Sequence, residues 1–366
     1  MSKKQKSFPE LKGKYIVIEK IGEGAFSKVY KAKNKKTGEI FALKRIFPTC
    51  SPKRIFREAE ILYRLRGYEG VCYLYEGLRK EDQVTLVTPY FEFDDFRDFF
   101  HEISIEQIKT YMRALLKSLN HIHLKGIVHR DLKPGNFLYK VRSGKGLLID
   151  FGLAQTAEEL KQFSLEKDEE LQSFEKRRKI SHMNHFDNSN QIIDNIPFED
   201  KEIPNDFYEN NLIYAPKPNK NDPRPILKAP RAGTRGFRAP EVLFKSYTQT
   251  SAIDIWSAGI VLLSFLSGVY PFFHPPDDLY ALGETISIFG YKNINEMAAK
   301  FHRRIYSSNT ENGIDLKEIC KLTNTTFSDL NPPDDAFDLL NQMLHLDPEK
   351  RITAEQCLSH SFLKLN

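Results

Sequence analysis

The sequence predicts an α+β chain in two lobes, a small lobe of antiparallel strands followed by a larger helical lobe. Two observations carry this. Up to about residue 90, apolar residues come in short runs broken by turn signals at Lys36-Thr37-Gly38 and Lys80-Glu81-Asp82. From residue 104 they step by three and four, as Ile105, Ile108, Met112, Leu115, Leu119 and Ile122 do. The expected boundaries are a tail over 1–14, a first lobe over 15–89 and a second over 90–366.

The elements follow in order. Tyr15 to Ile18 is a strand before a glycine turn, and Val29 to Ala32 and Glu39 to Lys44 flank the turn at Gly38. Pro52 to Arg66 reads as a helix, with Pro52 near its start and Gly67 after its end. Cys72 to Leu78 and Val84 to Tyr90 form a second hairpin. Ser104 and Gln107 fit a capping box for the helix that Gly126 ends. Further helices follow Asp254 and span Asp335 to Leu346. Between Ser181 and Pro230 there are nine Asn and seven Pro without apolar periodicity, a loop-like composition. Residues 156–230 therefore read as an insertion into a folded domain.

Composition narrows the class. The chain has 366 residues, 40% apolar and 28% charged, with a net charge of +5, too mild a bias to argue for nucleic acid. Cys50, Cys72, Cys320 and Cys357 lie far apart with no C-x-x-C pair, which speaks against zinc and for free thiols in a reducing compartment. The lysine-rich start is no signal peptide. Ile255 to Phe273 is uncharged for 19 residues, near membrane-spanning length, but a helix buried at the centre of a large lobe gives the same signature.

The chemistry-bearing residues begin at Ile21-Gly22-Glu23-Gly24, which with Val29 flanks the first turn. Glycines let backbone N–H groups approach triphosphate oxygens. Ser27 stands where a third glycine would complete the pattern, and alone this turn fits an ordinary hairpin better than a phosphate loop. Ala42-Leu43-Lys44 adds a lysine able to reach the α and β phosphates, and Glu58 on the next helix, or less well Glu60, can hold it. Either acid could instead be a plain surface charge.

His129-Arg130-Asp131-Leu132-Lys133-Pro134-Gly135-Asn136, with Asp150-Phe151-Gly152, resembles the catalytic and metal-binding loops of eukaryotic protein kinases. The resemblance implies the bilobal kinase fold, ATP and Mg2+. It makes Asp131 the acceptor of the hydroxyl proton and Lys133 the stabiliser of the transferring phosphate, and Lys at that position resembles serine/threonine kinases. Asn136 and Asp150 would bind magnesium, and Ile21, Gly22, Gly24, Val29, Ala42, Lys44, Glu58, Thr88, Pro89 and Tyr90 would line the nucleotide site. His129 is expected to pack on Phe151, and Arg130 usually awaits an activation-segment phosphate. Gly233-Thr234-Arg235-Gly236-Phe237-Arg238-Ala239-Pro240-Glu241 resembles the end of that segment, with Thr234 beside Asp131 and Glu241 paired to Arg351. Asp254-Ile255-Trp256 resembles the start of the central helix, with Asp254 holding the catalytic-loop backbone.

A finer resemblance is to the replication-origin kinases, the cell division control protein seven family. It rests on Pro89-Tyr90-Phe91-Glu92, Asn136-Phe137-Leu138-Tyr139, Leu153-Ala154-Gln155, Ser251-Ala252-Ile253-Asp254, Tyr270-Pro271-Phe272 and Asp277-Asp278-Leu279. Arg235 departs from it where proline is usual, and the insertion lacks the cysteines of a zinc site. The family implies a Dbf-like activating subunit, replicative helicase subunits as substrates, and the nucleus. Residues 215–233 hold no Ser, Thr or Tyr, which fits activation by a partner rather than by local phosphorylation. Arg231, Arg235 and Arg238 crowd the strip facing the residue after the target hydroxyl, so Ser/Thr followed by an acidic or phosphorylated residue is the expected substrate. Other readings stay open: a pseudokinase scaffold, which the intact Lys44, Asp131, Asn136 and Asp150 oppose, or another cell-cycle or casein-type kinase. Lys176-Arg177-Arg178-Lys179 is an import signal or a solvated charge run. No membrane or direct nucleic-acid contact is expected.

Overall fold

The computed structural model describes residues 8–24, 26–166, 233–301, 303–307 and 310–364. Tyr15–Glu23 (β1), Ser27–Asn34 (β2), Ile40–Ile46 (β3), Glu76–Lys80 (β4) and Gln83–Pro89 (β5) form one antiparallel sheet in the order β1-β2-β3-β5-β4. The register puts Gly22, Val29 and Lys44 side by side across three strands. Pro52–Arg64 (α1) lies between β3 and β4 in the chain, capped by the Ser51 hydroxyl. The expected strand at Cys72 to Leu78 forms later, at β4. Residues 72–75 run irregularly instead, with the carbonyls of Leu74 and Tyr75 taken by the Arg66 guanidinium at 2.7 Å each.

The segment ahead of β1, expected as a tail, is part of the lobe where it is described. Pro9–Leu11 makes a short 3-10 turn; Leu11 is buried with Tyr15, Tyr30, Phe41, Leu43 and Val87 on one face of the sheet. Glu10 is fully buried and pairs with Arg45 at 2.7 Å.

The larger part is helical. After the short turn Phe96–Phe99 (α2) comes Ile105–Leu124 (α3), whose capping box forms in both directions. Small strand pairs follow: Ile127–Val128 (β6) with Gln155–Thr156 (β9), and Phe137–Lys140 (β7) with Lys145–Leu148 (β8). Residues 157–166, at the start of the expected insertion, are helical (α4); the loop-like stretch 181–230 lies outside the described residues.

Pro240–Leu243 (α5) and Ala252–Ser267 (α6) come next. Every residue of α6 from Ile253 to Ser267 is buried, which accounts for the uncharged run. Around it stand Asp278–Phe289 (α7), Tyr291–Lys300 (α8), Leu316–Thr323 (α9), Phe327–Leu330 (α10), Asp334–Met343 (α11) and Ala354–Ser359 (α12). α3, α9 and α11 pack directly on α6, so each has an apolar stripe while α6 is apolar on every side. No described helix is long and apolar enough to cross a membrane. Cys72, Cys320 and Cys357 are buried free thiols, pushed by burial up to about 12. Among the described residues no three His, Cys, Asp or Glu side chains gather as a metal cluster.

Candidate active site

The cleft between the sheet and the helices is lined by Gly24, Ser27, Lys44, Glu58, Asp131, Lys133, Asp150 and Gly152, among others, and holds about 250 Å³. Lys44 is central on its wall. Its Nζ donates to Glu58 Oε1 at 2.5 Å and Asp150 Oδ1 at 2.7 Å. Burial opposes the ammonium charge, but the two carboxylates outweigh burial and hold its pKa above the ordinary lysine value. Glu58 is buried on the inner face of α1, whereas Glu60, the weaker alternative, is exposed.

Asp131 sits on the opposite wall inside a closed set of bonds. Its Oδ1 accepts from the Thr234 backbone N–H and hydroxyl, both at 2.8 Å. Lys133 Nζ donates to Asp131 Oδ2 at 3.2 Å and to the Thr234 hydroxyl at 2.8 Å. Asn136 Nδ2 donates to the Asp131 carbonyl at 2.8 Å and to Oδ2 at 3.1 Å. The side-chain amide N–H therefore goes to Asp131, leaving the Asn136 amide oxygen as an acceptor. That oxygen and the Asp150 carboxylate are hard donors of the kind that divalent magnesium prefers, so the residues present fit such an ion.

The loop that carries Asp131 is strained and firmly held. Arg130 and Asp150 adopt left-handed backbone, φ 70° and 63°, a conformation that non-glycine residues keep only when neighbours impose it. Here Asp254, at the start of α6, accepts from the backbone N–H of His129 and of Arg130 at 2.8 Å each, and His123 Nε2 joins it at 2.9 Å. Burial alone would raise the Asp254 carboxyl, but His123 and these donors hold it below the usual carboxylate range. The His129 ring packs edge-on against Phe151 at 5.0 Å, as expected. Gly233 is where the chain from Thr234 passes closest to this loop. A Cβ there would lie 2.6 Å from the Arg130 carbonyl, and φ is 96°.

The remaining candidates divide. Ile21 is exposed, Val29, Ala42, Pro89 and Tyr90 are half-buried, and Thr88 is buried, its hydroxyl 3.4 Å from the Ala42 carbonyl; none of these six is among the residues that line the cleft. Lys31 lies over the Tyr90 ring at 4.7 Å. Arg351 and Glu241 form a fully buried bidentate pair at 2.7 and 3.0 Å. Arg238 is tied into the chain: it donates to the Gly233 carbonyl at 2.6 and 2.9 Å and pairs with Asp278. Arg235 is exposed, with one N–H on the Pro276 carbonyl, and Arg231 lies outside the described residues.

Among its partners, the Arg130 guanidinium donates to the side-chain oxygens of Gln155, in β9, and Gln249 (3.0 Å for the latter). Burial lowers its pKa to about 10. Neither glutamine stood out in the sequence: Gln155 entered only within a family motif, and Gln249 lies in a plain Thr-Gln-Thr stretch. His123 was equally silent, although its place on the inward side of α3 was readable.

Comparison with known proteins agrees with this geometry. The chain matches the protein kinase domain family over residues 15–176 and 218–363. It is 43% identical over 353 residues to a probable cell division control protein 7 homolog of Encephalitozoon cuniculi, covering 95% of this chain and 92% of that one. It is 36% identical to the cell cycle serine/threonine-protein kinase hsk1 of Schizosaccharomyces pombe, over 99% and 75% of the two chains. A cell division cycle 7-related protein kinase of Homo sapiens is 28% identical across the whole of this chain and 92% of its own. With lysine, carboxylates and loop geometry in kinase order, the chain belongs to the protein kinase family and, within it, to the cell division control protein 7 group of cell-cycle serine/threonine kinases.

Proposed function

We propose that this kinase transfers the γ-phosphate of ATP to Ser or Thr with Asp131 as the group that accepts the hydroxyl proton. The observation that carries the reading is the convergence of Asp131, Thr234, Lys133 and Asn136 opposite Lys44, Glu58 and Asp150. The Thr234 bonds fix the Asp131 carboxylate in one orientation, so it meets the incoming hydroxyl without rearranging. Lys133 reaches the same space with a positive charge for the moving phosphate. Lys44, fixed by Glu58, takes the α and β phosphates. A protein kinase domain takes ATP and a divalent metal in general; we assign Mg2+, held by Asp150 and Asn136, which would neutralise charge on the phosphate oxygens.

We infer a regulatory partner and an acidic substrate as well. The lack of Ser, Thr and Tyr over residues 215–233 supports control by a bound subunit of the Dbf-like kind rather than by an activation-segment phosphate. Arg235 is the arginine that supports an acidic residue after the target Ser/Thr, because Arg238 is already bonded to Gly233 and Asp278. The relatives' names concern cell division and the cell cycle. Action in the nucleus on replicative helicase subunits, at initiation of DNA replication, is our extension of them.

The test is phosphate transfer from labelled Mg-ATP to Ser peptides with Asp or Arg in the next position, by the chain alone and by the chain co-expressed with candidate partners. Asp131→Asn is the control. Transfer to the Asp peptide only, lost in the variant and dependent on a partner, is the expected result. Strong activity of the chain alone removes the partner. Equal turnover of the two peptides removes the acidic preference.

A further inference from the structure

Helix α1 touches the cleft twice. Glu58 holds Lys44, and one turn earlier Arg54 reaches the phosphate turn between β1 and β2. The Arg54 guanidinium carbon lies 4.0 Å from the centre of the Phe26 ring, close enough for a face-on cation–π contact. Its Nε donates to the Gly152 carbonyl at 3.2 Å, two residues beyond Asp150. Arg54 and Phe26 both line the cleft that Lys44, Asp131 and Asp150 line. The Phe26 ring is 49% exposed, so burial alone does not hold it in place. Its backbone is anchored behind, where the Phe26 carbonyl accepts from Phe47 N–H at 2.8 Å, with Cys50 Sγ 3.6 Å away.

We propose that Arg54 is a positioning residue that latches the phosphate turn to α1 and to the segment after Asp150, and so sets how long a nucleotide stays in the cleft. A planar guanidinium can present its face to a ring and its edge to a carbonyl at once, which a lysine ammonium cannot. One rigid helix thereby grips three separate parts: the turn through Phe26, β3 through Glu58 and Lys44, and the Gly152 backbone. Displacing α1 breaks all three contacts together. Seating Phe26 on Arg54 brings the turn down over the phosphate end of the cleft. The inference rests on the reading of this cleft as the nucleotide site.

The experiment measures binding and release of a fluorescent (N-methylanthraniloyl) ATP with Mg2+. It uses the full chain with any partner it co-purifies with, in wild type, Arg54→Met, Arg54→Lys, Phe26→Leu and the Arg54→Met/Phe26→Leu double variant, with thermal midpoints recorded in parallel. Each of Arg54→Met and Phe26→Leu is expected to weaken binding by about 2- to 30-fold, the range of one cation–π contact, through faster release. Arg54→Lys falls between, and the double variant is no worse than the poorer single one. Additive losses would show two unrelated contacts and overturn the latch. So would an unchanged Kd in Arg54→Met, or lowered thermal midpoints with Kd unchanged, which would reduce Arg54 to support of the fold. No binding by the wild type overturns the reading of the cleft, and the latch with it.

Discussion

Arg351→Met should be the most damaging single change far from the chemistry. Arg351 and Glu241 are 0% and 1% exposed, and two bonds of 2.7 and 3.0 Å join them. Removing one member of a buried pair strands the other charge, typically at about 3–5 kcal/mol. Arg351 also donates to the carbonyls of Ala252 at 2.8 Å and His345 at 2.9 Å, contacts that its loss removes and Glu241→Gln leaves in place. At roughly 2–4 °C per kcal/mol for a lobe of this size, Arg351→Met lowers the thermal midpoint by about 6–20 °C, and Glu241→Gln by less. The assay is built in. Trp256 is the single tryptophan of the chain, is buried, and its ring centre lies 5.2 Å from the Arg351 guanidinium carbon, so intrinsic fluorescence reports on this region. The double variant Glu241→Leu/Arg351→Met removes both charges and should recover part of the loss. A midpoint drop under about 2 °C for Arg351→Met, or a double variant as poor as the sum of the singles, refutes the argument.

Other outcomes are expected. Asp131→Asn lowers kcat by about 10²–10⁴ while nucleotide affinity is kept; equal loss of affinity would put Asp131 in nucleotide binding instead. Gln249→Leu removes one buried acceptor of the Arg130 guanidinium and costs about 1–3 kcal/mol in urea unfolding, whereas Gln249→Glu keeps it; equal stability of all three forms refutes the role given to Gln249. Lys44 has a folded pKa above 10.5, so its contribution is present below that value and is lost only as pH rises through the raised one. Asp150 is held below 3.8, where burial would raise it but Lys44 outweighs burial, so its contribution is present above 3.8 and lost as pH falls through the lowered value. Nucleotide binding by the folded chain should thus show no Lys44 titration between these limits; a step near pH 8 that Lys44→Arg displaces would contradict this.

The sequence was most legible where chemistry forces residue type and spacing together. Lys44 met Glu58 and Asp150, Asn136 met Asp131, and Asp254 met the backbone of His129 and Arg130, because each serves a fixed neighbour, and the capping pair Ser104 and Gln107 formed because its geometry is local. What stayed hidden has no local signature. Gln249 reaches Arg130 across 119 residues, and Glu10 sits in a polar, lysine-rich stretch that reads as tail until the chain folds back on the sheet. Strand β4 began later than its apolar run because the residues before it give their carbonyls to Arg66 rather than to a neighbouring strand. Arg238, which directly precedes Ala239-Pro240-Glu241, was the arginine of the three open to a structural role, but its partner Asp278, forty residues on, was not readable.

The turn ahead of β1 bears on where this kinase can be cut. The family match starts at residue 15, the natural place to begin a shortened chain. Such a chain would lack Leu11, leaving Tyr30, Phe41 and Val87 facing water, and would leave Arg45 without its buried carboxylate next to Lys44. The family match would be complete and the folding unit would not. A truncation series read by solubility and by Lys44-dependent nucleotide binding should therefore break between residues 8 and 15, so expression tags and fusion joints belong upstream of Phe8.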